Sequence, residues 1–305
     1  MQTRPTFVSQ SDTMRAFYFL FLVLLLPLAN PALAAQPQLL LDVARFRNID
    51  MSVKGNVVEL YATVPGQWLT YMRRAPKMYQ AAAILTLEIV GSNGQAAYQE
   101  NITLKPPVLS DTTAAIKNPL SFQKRLMLPD GTYSIRGLVR DQYRNSQQAL
   151  VEMPLVLAST EAKPTLSDVV LLAKPAAKGA EASNFSRGGF SLTRAPGGLY
   201  TRGADKVWLY TELYNATPEQ EVQLRYRLRQ VGAKTDALVQ PSTTRGLAGR
   251  PTPITGELDL SKLPPGDYTL TVEVRTTKQL LVAQTATVHR ITKDYTPAGA
   301  GAPAR

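Results

Sequence analysis

The chain carries one phrase twice: Leu128-Pro129-Asp130-Gly131-Thr132-Tyr133 and, roughly 135 residues later, Leu263-Pro264-Pro265-Gly266-Asp267-Tyr268. Each copy runs into an alternating apolar segment, Tyr133, Ile135 and Val139 in the first and Tyr268, Leu270, Val272 and Val274 in the second. Proline fixes its backbone φ and has no N–H to give a ladder, so it ends the strand before it. Glycine then adopts the turn conformation that other residues resist. The tyrosine that follows can place its ring in a core and return its hydroxyl to the loop backbone, as in the tyrosine corner of Greek-key sandwiches. Such a turn, repeated at domain spacing, predicts two copies of one β fold. It also predicts that Gly131→Val and Tyr268→Ala destabilise their domains.

Period-two alternation extends the argument to the rest of the chain. Val58, Leu60, Ala62 and Val64 alternate with Glu59 and Thr63; Leu85, Leu87 and Ile89 alternate with Thr86 and Glu88. In the second half, Val207 to Tyr214 parallels 57–64, and Val222, Leu224, Tyr226 and Leu228 alternate with Gln223, Arg225, Arg227 and Arg229. Each half offers about seven short strands separated by Gly, Pro, Asn and Ser, the pattern of a β-sandwich. The predicted fold is all-β: two tandem Ig-like or fibronectin-like sandwiches at 36–160 and 165–293. Residues 159–164 read as a linker, Lys174 to Gly189 as a polar loop, and 294–305 as a disordered tail.

The first 34 residues read as a signal peptide. Arg15 precedes an uncharged apolar run, Ala16 to Leu28, and Ala32-Leu33-Ala34 offers a small-x-small cleavage site. That run of about 13 residues falls short of the roughly 20 that span a bilayer, so no membrane span is predicted after cleavage. The chain has no cysteine. Disulfides, thiolate metal sites and a lipoprotein anchor are thereby excluded. Export without disulfides fits a bacterial periplasm or outer surface. The net charge of +11 is spread over both halves, with no tail or helix that concentrates it.

Catalytic constellations are sparse. The lone histidine, His289, lies on a terminal strand opposite the core stripe, and no Gly-x-Ser-x-Gly or phosphate loop is present. Acidic residues fall singly on outward strand positions, as ordinary solvation requires. No catalytic residue, metal or cofactor is predicted. Two surface rows remain. Arg225, Arg227 and Arg229 share one face of a strand at about 7 Å spacing, which suits either an anionic polymer or the protection of an exposed strand by charge. Trp208, Tyr210 and Tyr214 line the outer face of a neighbouring strand, which points to a covered surface against another domain or a partner, or to a central strand buried on both faces. These six are the candidate binding residues. The predicted partner is another envelope protein or an acidic glycan rather than nucleic acid.

Leu41-Asp42-Val43-Ala44-Arg45-Phe46, Val58-Glu59-Leu60-Tyr61 with Val64-Pro65, Leu69-Thr70-Tyr71, and Ser121-Phe122-Gln123-Lys124-Arg125 occur in an order that resembles the β-rich front portion of bacterial exported GWxTD-motif proteins. The Leu-Pro-Asp-Gly-Thr-Tyr turn and Leu166-Ser167-Asp168-Val169 continue it over approximately 38–175. The eponymous motif is absent, since Gly66-Gln67-Trp68-Leu69-Thr70 is not Gly-Trp-x-Thr-Asp. The resemblance implies a β fold and an envelope location and carries no reaction with it.

Overall fold

Alternating residues become strands throughout the described part of the chain. The computed structural model describes residues 39–48, 55–113, 117–158, 163–179, 186–201, 203–276 and 279–291. The leader, the tail from 294, linker residues 159–162 and loop residues 180–185 lie outside the described residues.

The first sandwich begins with β1 (Leu40–Arg47), β2 (Asn56–Val64), β3 (Met72–Ala75), β4 (Met78–Gln80) and β5 (Ala83–Gly91). It continues through β6 (Ala96–Leu104), β7 (Leu120–Leu128), β8 (Gly131–Asp141) and β9 (Arg144–Leu157). One sheet has the order β1-β2-β7 and the other β6-β5-β8-β9, while β3 and β4 form a separate hairpin. Leu60 and Val64 from the first sheet and Leu85, Leu87, Ile135 and Val139 from the second share one core.

The second sandwich opens with the short strands β10 (Thr165–Leu166), β11 (Val170–Leu172), β12 (Ala177–Lys178), β13 (Ser186–Arg187), β14 (Phe190–Ser191) and β15 (Leu199–Tyr200). Long strands follow: β16 (Lys206–Tyr214), β17 (Glu221–Gln230), β18 (Leu238–Arg245), β19 (Thr252–Asp259), β20 (Gly266–Arg275) and β21 (Leu280–Arg290). β10 and β11 pair with one edge of β16 and β19 with the other; the facing sheet runs β15-β21-β20-β17-β18. Its own core joins Leu209, Leu213, Tyr226, Leu228, Leu270 and Val272.

The two sheet plans match. β18-β17-β20-β21 repeats β6-β5-β8-β9, and β10/β11-β16-β19 repeats β1-β2-β7. The duplicated turn joins β7 to β8 and β19 to β20, the same step of a seven-strand unit. Both tyrosines return to the turn: Tyr133 donates its hydroxyl to the Pro129 carbonyl at 3.1 Å, and Tyr268 donates to that of Pro264 at 2.7 Å. Gly266 sits at φ 150°, a conformation that a β-branched residue adopts only with strain. The fold is thus two Ig-like sandwiches, and their strands belong to one compact unit.

Candidate functional site

β2 and β16 occupy equivalent places in the two sandwiches, and each is buried on both faces. On β2, Val58, Leu60, Ala62 and Val64 enter the first core, while Glu59 on the opposite face is only 1% exposed. On β16, Val207, Leu209 and Leu213 enter the second core, while Tyr210, Glu212 and Tyr214 on the other face are also buried. The two outer faces cover each other. Ala44 and Phe46 of β1 pack with Val170, Leu172, Leu192 and Tyr210, and partly buried Tyr61, Phe190 and Trp208 join them. The aromatic row is therefore a seam between the sandwiches, on a central strand. Trp208 lies at its margin, donating its indole N–H to Glu257 at 2.9 Å.

The seam also holds charge, contrary to the expectation that acids would sit on solvated faces. Glu59 bonds to the Tyr61 hydroxyl and pairs with Arg125 at 2.7 Å. Glu212 accepts from Tyr210 at 2.9 Å and from Tyr214 at 2.6 Å. Arg187 lies between the two acids, 3.8 Å from Glu59 and 3.3 Å from Glu212, with its guanidinium 3.7 Å from the centroid of Phe46. Arg194 stacks on Tyr61 at 3.5 Å. A buried carboxylate is tolerated only when paired and hydrogen-bonded. Each acid here has a tyrosine two positions away on its own strand face and an arginine supplied by another element. Burial, reinforced by the adjacent carboxylate, pushes the hydroxyls of Tyr61, Tyr210 and Tyr214 well above the ordinary tyrosine range.

The second sandwich also closes the open edge of β1. The Arg45 N–H donates to Asp168 Oδ2 at 2.8 Å, and the Asp168 N–H donates back to the Arg45 carbonyl at 3.1 Å. The Arg45 side chain completes the exchange with bonds of 2.8 and 2.7 Å to the same carboxylate. Arg47 N–H donates to the Tyr214 hydroxyl at 3.0 Å, and Gly197 N–H donates to Asp42 at 2.8 Å. The hollow left in the seam, bounded by Glu59, Tyr61, Arg125, Arg187 and Arg194, measures about 10 Å³. That is room for about one water molecule.

The arginine ladder is differently placed. β17 lies between β18 and β20, so it is an inner strand. Arg227 bonds to Asp236 and to Glu273, each at 2.7 Å. Arg229 pairs with Asp236 at 2.9 Å, and Arg225 stands 3.9 Å from Glu273, which Arg275 also approaches at 3.1 Å. Arg225 and Arg229 keep 45% and 44% of their side chains exposed, against 27% for Arg227. The edge of this sheet is β18, which carries Pro241, a residue unable to donate to an added strand. His289 is a surface residue whose Nδ1 lies 2.7 Å from Asp267.

The structure brings Tyr210 and Tyr214 together with Glu59, Tyr61, Arg125, Arg187 and Arg194, none of which is among the six candidate binding residues. Glu59-x-Tyr61 and Tyr210-x-Glu212-x-Tyr214 hold the signal that could have exposed the seam, because acid and phenol at period two face the same way.

No protein-family model matches this chain, and no curated protein matches it. Among solved structures, red sea bream transglutaminase is similar over 84% of this chain and 31% of its own, at 11% identity and a TM-score of 0.24. Dimeric latent PorU from Porphyromonas gingivalis matches 83% of this chain and 20% of its own, at 13% identity and a TM-score of 0.30. A calcium-binding mutant of Bacteroides uniformis β-glucuronidase 2 matches 81% and 28%, at 10% identity and a TM-score of 0.28. The chain spans less than a third of each of these proteins.

Proposed function

We propose that the chain is an exported, non-catalytic binding or scaffold protein of the bacterial envelope, acting through the outer surfaces of a rigid pair of sandwiches. The closed seam carries this reading. Domain boundaries are common places for a ligand cleft, yet here the boundary is filled by paired charges and aromatic rings around a hollow of about 10 Å³. Binding then falls to outer sheet faces, edges and loops. The apolar leader and the cysteine-free composition support export. Resemblance to the front portion of the GWxTD-motif proteins supports the envelope, and two of the segments that carry it, 41–46 and 166–169, meet at Arg45 and Asp168. Crosslinking in cells after fractionation tests the reading. It is expected to capture envelope partners from an exported, N-terminally trimmed chain. Recovery in the cytoplasm with an intact N-terminus overturns it, as does turnover of a glycan or peptide that is lost on removing one acid.

A second reading, an accessory module for acidic envelope glycans, is favoured by the half-exposed Arg225 and Arg229 beside a surplus of guanidinium over carboxylate. Glycan-array binding that disappears in Arg225→Glu would support it; binding unaffected by that change would remove it.

A further inference from the structure

Folding concentrates charge that the sequence disperses. The β3–β4 hairpin turns at Pro76 and Lys77, with Lys77 in the left-handed region at φ 54°. Its base is pinned to one end of the first sandwich. Gln80 donates to the Pro106 carbonyl at 2.6 Å, Tyr79 pairs with Leu109, and the Thr70 N–H donates to Asp141 at 2.6 Å. Arg74 reaches the Tyr143 hydroxyl and lies 4.8 Å from the centroid of that ring. The hairpin, the segment after β6 and the β8–β9 turn therefore share one pole.

Arg73, Arg74, Lys77, Lys105, Arg140 and Arg144 are exposed there. Among the described residues none of the six has a carboxylate at ion-pair distance, in contrast to the ladder on β17. The nearby acids have other partners. Asp141 is 1% exposed and accepts from the Thr70 and Tyr143 backbone, while Asp111 accepts from Thr113. Apolar side chains stand among the cations: Met72 is 44% exposed, Met78 46% and Val108 47%.

We propose that this pole docks on an anionic phospholipid surface. The inference rests on the reading of the chain as a protein that binds through its outer surfaces, and it names one such surface. Unneutralised Arg and Lys are each attracted to an anionic leaflet, and guanidinium groups pair with lipid phosphates in fork geometry. Methionine side chains beside them can enter the headgroup–acyl boundary, where flexible apolar groups gain contact. The exposed hairpin carries both kinds of side chain. An acidic glycan would satisfy the cations and leave the methionines in water, which is why lipid is favoured.

The absence of cysteine gives a direct test in the full chain. Pro76→Cys places a single thiol at the hairpin tip for an environment-sensitive fluorophore, and Ala233→Cys in the β17–β18 turn serves as reference. On vesicles of phosphatidylcholine mixed with phosphatidylglycerol, the label at 76 is expected to shift to the blue while that at 233 does not. Vesicles of phosphatidylcholine alone should leave both unchanged. Arg73→Glu with Lys77→Glu, both outside any bonded network, should weaken the response at least roughly tenfold; added salt should weaken it too. No shift at 76 on the mixed vesicles overturns the proposal, as does an equal shift on both vesicle types. A shift produced by heparin at lower concentration than by vesicles replaces lipid with a glycan. If the vesicle response fails while envelope crosslinks persist, lipid docking alone is lost; if both fail, the broader reading falls with it.

Discussion

Tyr268 is fully buried and its hydroxyl bond measures 2.7 Å, whereas Tyr133 is half-buried with a bond of 3.1 Å. Deleting a hydroxyl from a buried, bonded pair costs about 1 kcal/mol, and emptying an aromatic site costs about 3–5 kcal/mol. Tyr268→Phe and Tyr268→Ala should differ in chemical denaturation by that interval, and Tyr133→Phe should cost less than Tyr268→Phe. Equal losses for the two phenylalanine variants would mean that the corners do not depend on burial. Arg187 poses a sharper case. It stands between two buried carboxylates; Arg187→Met leaves Glu59 its pair with Arg125 but takes from Glu212 its one ion-pair partner among the described residues. Removing one partner of a buried ion pair costs about 3–5 kcal/mol, while removing both can be nearly neutral. Glu212→Gln should therefore restore much of what Arg187→Met loses. A double variant no more stable than the single one would show that the arginine acts by packing on Phe46 rather than by charge.

At the scale of strands, β17 shows how paired charge sets pH dependence. The hydrogen bond from Arg227 holds the Asp236 carboxyl below its usual range. Burial pushes Glu273 up, but bonds from Arg227 and Arg275 outweigh it and leave that carboxyl lowered as well. A carboxyl lowered by folding contributes stability above its unfolded value and loses it as pH falls below about 4. Melting temperature should decline through that window, and Asp236→Asn with Glu273→Gln should flatten the decline. An unchanged slope would place the acid sensitivity elsewhere. Strand visibility in the sequence follows the same logic of burial. β2, β5, β16, β17 and β20 were legible because one face is continuously apolar. β6 and β18 are edges of their sheets and bury less, so AAYQENITL and LVQPSTTR alternate weakly. β10, β12, β13 and β15 are two residues long each, too short for any period to register. The β3–β4 hairpin carries Met, Arg and Lys without alternation because it packs by its base alone. The ladder on β17 was visible as a row of cations; its carboxylates on β20 and the β17–β18 turn were not, because pairing across strands has no sequence spacing.

The whole molecule is held together at the seam, where the halves of a duplicated fold differ from solvated sheets. Period two locates β2 and β16, and the aromatic row on β16 points to a covered face; the second face of β2 reads as solvated, because Glu59 looks like a solvent-facing residue until the opposing sandwich supplies Arg187. Tyr61, Tyr210 and Tyr214 give this interface a signature that can be measured in solution. Burial raises their hydroxyl pKa above the unfolded value of about 10. A group raised by folding lends its full stabilisation below the unfolded pKa and loses it as pH rises toward the folded one. Above pH 10 each seam tyrosine should therefore reduce stability by about 1.4 kcal/mol per pH unit. Ionisation would also set a phenolate against a buried carboxylate, so the seam cannot titrate gradually while closed. Tyrosinate absorbance should accordingly show a second, late stage, in which the seam rings ionise only with cooperative loss of the fold, together with the buried core rings of Tyr200 and Tyr226. Tyr214→Phe should shift the second stage to higher pH per unit of remaining stability, since one titrating group is gone. If instead Tyr214→Phe removes absorbance that appears while the near-ultraviolet circular dichroism is still intact, Tyr214 ionises in the folded protein and the seam is wet.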